Sequence, residues 1–140
     1  MPFQEKSAWI MSVALSLGGA FYFAVVLTMS SQLGRVAPPI LPVLLVYTVI
    51  LVIVAVAGHM VAAVVSPKEA NASLDERDRA ISHRAGHLSG TLFAAGTILA
   101  LGFYLFSYDG NLLFYGVFAS LMISQLAEYA VQILLYRSTV

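Results

Sequence analysis

The sequence predicts an all-α membrane protein: a transmembrane four-helix bundle with its N- and C-termini both in the cytoplasm. Three observations carry this. Hydrophobic residues make up 60% of the chain and charged residues only 10%, against roughly 45–50% and about 25% in a soluble domain. With a mean hydropathy of +0.89, such a chain lacks the polar surface to face water, so its solvent is largely lipid. The apolar residues gather into four runs, each near the ~20 residues that cross a hydrocarbon core. The basic residues are also lopsided. Lys6, Lys68, Arg77, Arg79, Arg84 and Arg137 fall on one side of the predicted spans and only Arg35 on the other, a positive-inside bias.

The first run, residues 7–33, carries no charge and is too long for a signal-peptide core. Gly34, Pro38 and Pro39 mark a turn. The second run, 40–65, tolerates Pro42 in its first turn, where the missing N–H has no partner to lose; Pro67 ends it. A cytoplasmic loop, 66–80, leads to the third run, 81–106. "SYDGN" then reads as a tight Asp-Gly turn into the fourth, 112–136. A spanning barrel would need about eight alternating strands or more, which the chain does not supply. Trp9, Tyr104, Tyr108 and Tyr136 fall near the interfaces, as belt residues do. Residues 1–140 read as a single transmembrane domain. Zero net charge removes the electrostatic case for nucleic acid, and the absence of cysteine removes thiolate chemistry.

The charged loop can be explained without chemistry. Ser73 and Glu76 have capping-box spacing, with Asp75 and Glu76 at the positive end of the helix dipole. Asp75 and Arg79 form an i, i+4 pair, while Arg77, Arg79 and Arg84 suit anionic head groups. The functional alternative is a docking surface for a soluble partner, on Asp75, Glu76, Arg77, Asp78 and Arg79, or a cation-binding rim on Asp75, Glu76 and Asp78.

Inside the apolar runs, His59, His87 and Glu128 are the residues lipid tolerates least. Counted inward from Pro67, Arg79 and Arg137, they lie at matching depths of roughly 12–14 Å. Helical phase predicts inward stripes: His83, Gly86, His87, Gly90, Ala94 and Thr97 on the third span; Gln125, Glu128, Tyr129, Gln132 and Tyr136 on the fourth. The second offers Thr48, Ala55, His59, Ala62, Ala63 and Ser66, and the first Ser12, Ser16 and Gly19. Gly86, Gly90 and Ala94 also have the spacing of a close helix seam. Four readings follow in descending order. The first is a structural polar network. The second is a divalent-metal site on His59, His87 and Glu128, with His83 one turn away. A proton or cation path comes third, and a bis-His haem on His59 and His87 last. No nucleophile–base pair or cofactor motif is apparent, so no enzymatic activity is expected.

"EKSAW" (residues 5–9), the pair Gly58–His59 and "SPKEANASLDERDRAI" resemble a group of small bacterial four-span membrane proteins. The resemblance implies a bacterial inner-membrane home and carries no catalytic residue or cofactor. The functional expectation is a sensory, regulatory or accessory subunit in the lipid bilayer, acting through homo-oligomers or a protein partner. A metal- or proton-handling protein is the alternative.

Overall fold

A computed structural model describes residues 3–70 and 75–138. It contains four long helices, α1 (Phe3–Leu33), α2 (Leu41–Val65), α4 (Glu76–Ser107) and α5 (Gly110–Ser138), with a single turn α3 (Pro67–Ala70) after α2. All four long helices are long and apolar enough to cross a membrane, and no strand occurs among the described residues. The chain is an all-α, multi-pass membrane protein.

The helix ends follow from local chemistry, not always where sequence spacing puts them. Pro42 sits in the first turn of α2, as expected. Helix α4 begins at Glu76, so much of the expected loop 66–80 is helical. Its cap is Asp75, whose carboxylate accepts the Asp78 N–H at 2.6 Å; Ser73 lies outside the described residues. The expected Asp75–Arg79 pairing yields to that cap, because the carboxylate turns toward the helix N-terminus. At the other end, Asp109 caps α5, accepting the Asn111 N–H at 2.8 Å and the Leu112 N–H at 3.3 Å. Gly110 is therefore helical rather than the turn residue. The left-handed position falls on Tyr108, at φ 50°, a conformation that crowds a non-glycine Cβ.

In space the helices run α2–α1–α5–α4, and α4 packs chiefly on α5. Near the end of the bundle that holds the α1–α2 and α4–α5 turns, Tyr22, Tyr47, Phe118 and Met122 knit α1, α2 and α5 together. The Phe118 ring lies 4.9 Å from Tyr22 and 5.8 Å from Tyr47, centroid to centroid. The α4–α5 seam is built where small residues oppose one another: Gly96 against Ser120, and Gly116 against Ala100. In lipid, where apolar burial drives no association between helices, this close backbone approach supplies the packing energy.

The expected seam on α4 is a correction. Gly90 has nothing within 4 Å of where a Cβ would sit, and His83, His87, Gly90 and Ala94 are exposed. The buried line on α4 is Ile81, Ala85 and Ser89. Helix α5 covers that line, and the histidine–glycine stripe lies off it.

Candidate functional site

The inter-helix polar contacts concentrate at the opposite end of the bundle, where α1 and α4 begin and α2 and α5 finish. Arg137, in the last turn of α5, donates from Nε to Glu5 Oε1 on α1 at 3.1 Å. Glu5 is only 6% exposed, whereas the Arg137 guanidinium reaches outward over the Trp9 ring, 5.4 Å from its centroid. The carboxylate is buried because α1 turns that face toward α5, and the arginine is the cation that makes its burial affordable.

Helix α4 is clamped to α5 through Arg77 and Asp78. Tyr136 Oη donates to Asp78 Oδ1 at 2.7 Å, and Arg77 Nη2 donates to the Tyr136 carbonyl at 3.2 Å. Tyr136, expected both among the interface belt residues and on the inward stripe of the fourth span, is buried. Arg77 and Asp78 thus serve an internal clamp and Asp75 a helix cap. Of the five expected docking residues, Asp75, Glu76, Arg77 and Arg79 are exposed and Asp78 is half-buried; Glu76 and Arg79 are the two whose side chains take no part in the clamp or the cap.

On the other flank α2 is tied to α1. Lys6 Nζ donates to Ser66 Oγ at 2.6 Å, and Ser7 Oγ lies 2.7 Å from His59 Nε2. His59 Nδ1 lies 2.7 Å from the Ala55 carbonyl. A carbonyl only accepts, so Nδ1 carries a proton; in the neutral ring Nε2 then accepts from the Ser7 hydroxyl. Gly58 brings the helices this close. A Cβ there would come within 2.5 Å of Ile10 Cγ2. Nitrogen NMR of histidine-labelled protein is expected to show His59 as the Nδ1–H tautomer, and Ser7→Ala should shift its Nε2 resonance. An Nε2–H tautomer would contradict this geometry.

The expected His59–His87–Glu128 cluster is not assembled. His59 sits on α2 and His87 on α4, at opposite edges of the α2–α1–α5–α4 row. His83 and His87 are exposed, and the Glu128 carboxylate faces Gly86, with Oε1 4.0 Å from where its Cβ would be. Among the described residues no group of three His, Asp or Glu side chains is placed to hold a metal ion. Gln125, Tyr129 and Gln132 are half-buried along α5. Residue counting matches the three by depth along their helices, which leaves their lateral position open.

Two partners escaped the sequence reading. Glu5 and Arg137 are 132 residues apart, with no spacing rule to join them. Ser7 and His59 form a hydroxyl–imidazole pair where no nucleophile–base pair was expected. The available signal was that "EKS" stands directly before an apolar run, where each polar side chain must find water or a partner. No protein-family profile, curated protein or solved structure matches the chain.

Proposed function

We propose that this multi-pass membrane protein is an accessory or sensory subunit of a bacterial inner membrane. In this reading it works by assembly with a protein partner, which engages the N-terminal turns of α4. One observation carries the proposal. The 32 residues of α4 reach about 48 Å at the helical rise, well beyond a ~30 Å hydrocarbon core. About 20 of these residues suffice to cross, so the first turns of α4 reach the boundary or pass it as rigid helix. The Tyr136–Asp78 and Arg77–Tyr136 bonds hold that extension against α5, while Glu76, Arg79, His83 and Arg84 face outward. A charged, pre-ordered helix loses little conformational entropy when a partner binds it.

The orientation comes from charge. Lys6, Lys68, Arg77, Arg79, Arg84 and Arg137 belong to the end where Glu5 meets Arg137 and Lys6 meets Ser66. The positive-inside tendency makes that end cytoplasmic, with both termini inside.

A photo-crosslinker at Arg79, compared with one at the outward-facing Leu99 deep in the span, tests the reading in cells. A discrete protein adduct is expected from position 79 only. The double reversal Glu76→Lys with Arg79→Glu, read with the crosslinker moved to Ser82, should reduce that adduct at least tenfold, since misplaced like charges strongly penalise an interface. No adduct, or one indifferent to the reversal, would overturn it.

A further inference from the structure

A groove of 650 Å³ runs along the contact between α1 and α2, lined throughout by apolar residues, among them Trp9, Val13, Phe21, Ile50 and Val54. A second groove shares Ile10, Val54 and Gly58 with it and continues to Lys6. We propose that this continuous groove binds one anionic phospholipid from the leaflet at the basic end. An acyl chain lies along α1 and α2, and the phosphate meets Lys6 and Arg137 beside Trp9. The site is separate from the α4 surface assigned to a protein partner.

Depth, polarity and charge each select this occupant. From Lys6 to Phe21 along α1 the grooves cover about 22 Å at the helical rise. Half of a ~40–45 Å bilayer with its head groups is about the same length, so the groove ends where one leaflet ends. Its walls are apolar for that whole depth and turn basic only at the mouth. Lys6 lines that mouth, and Arg137, stacked over Trp9 at 5.4 Å, is 61% exposed, with one of its five N–H donors used by Glu5. An anion at that point gains from two cations and an amphipathic indole.

A second copy of this chain is a poorer occupant. In a membrane both copies share one orientation, so Lys6 and Arg137 at the mouth of one groove would face the same two cations of the other copy at the same depth. An anionic lipid neutralises those charges.

Trp9 is the single tryptophan of the chain and lines the groove, so its fluorescence reads occupancy directly. The full chain in phosphatidylcholine nanodiscs is titrated with phosphatidylglycerol brominated near the head-group end of its acyl chains, and in parallel with equally brominated phosphatidylcholine. The anionic lipid is expected to reach half-maximal quenching at about a fivefold lower mole fraction or less, the scale of basic residues at an anionic head group. Lys6→Gln combined with Glu5→Gln and Arg137→Gln, which removes the buried carboxylate along with its cation, should bring that ratio below about twofold.

Val13→Phe with Val54→Phe fills the groove from positions already half-exposed to lipid and leaves the charges in place. It should also abolish the preference, with circular dichroism confirming unchanged helicity. Equal quenching by the two lipids in the parent protein would mean ordinary boundary lipid and overturn the site. A preference that survives the filled groove, or the neutralised mouth, would overturn it too. If neither lipid quenches Trp9, a protein segment covers the groove and the proposal fails.

Discussion

Gly96→Ala should weaken the bundle by about 1–3 kcal/mol, while Gly90→Ala, six residues away on the same helix, should be neutral or slightly stabilising. The two substitutions are chemically identical, and the neighbour decides the sign. At Gly96 a new Cβ would overlap Ser120 Oγ and stand 2.7 Å from Ser120 Cβ and 3.6 Å from its Cα. A rotamer change can move the hydroxyl, but the α5 backbone fixes the positions of Cα and Cβ, so relief requires the helices to part. Ser120 Oγ is also committed, donating to the Gly116 carbonyl at 2.7 Å. At Gly90 nothing lies within 4 Å, and alanine brings its ordinary helix-propensity gain of about 0.5–1 kcal/mol. Equilibrium unfolding in mixed micelles gives both numbers. Adding Ser120→Gly to Gly96→Ala removes the opposing Cβ and should recover at least half of the loss. If Gly96→Ala is as mild as Gly90→Ala, the α4–α5 seam has been placed wrongly.

That contrast shows where sequence reasoning stopped. The four helices were legible because burying a backbone in lipid admits few alternatives, and four apolar stretches of sufficient length leave helices as the economical solution. Their neighbours were not legible. In water, an apolar stripe marks the buried face; in lipid both faces are apolar, and periodicity loses its meaning. The stripe of His83, Gly86, His87, Gly90 and Ala94 looked like a packed seam because small and polar residues shared a face. The face that meets α5 carries Ile81, Ala85 and Ser89 instead, a line that no contrast with its surroundings distinguishes.

The candidate site failed in the same dimension. His59, His87 and Glu128 were matched by depth alone, and depth says nothing about which helices are adjacent. What the sequence did expose was the polar end as a place. Lys6, Gly58–His59 and Arg137 were all conspicuous, and only their pairings had to come from three dimensions.

The largest electrostatic effect is expected at Arg137. Replacing it with alanine strands Glu5, which is 6% exposed, with a charge that neither water nor a partner can reach easily. Breaking a fully buried pair from one side costs about 3–5 kcal/mol, and an exposed pair is worth about 0–1. This pair is asymmetric, since the Arg137 side chain is 61% exposed and that of Glu5 only 8%. The loss for Arg137→Ala should therefore fall between these limits, at about 2–3 kcal/mol. Glu5→Gln removes the same ion pair from the other side, yet its expected cost is about 1 kcal/mol or less. The amide oxygen can still accept from Arg137 Nε, and the arginine that keeps its charge already faces outward. A double-mutant cycle by equilibrium unfolding separates the two cases, and the ordering is the decisive quantity. If Glu5→Gln proves as damaging as Arg137→Ala, the Glu5 carboxylate has a role beyond balancing the arginine. If both are silent, the ion pair does not hold α1 to α5 and the polar end is joined through Tyr136, Ser66 and His59 alone.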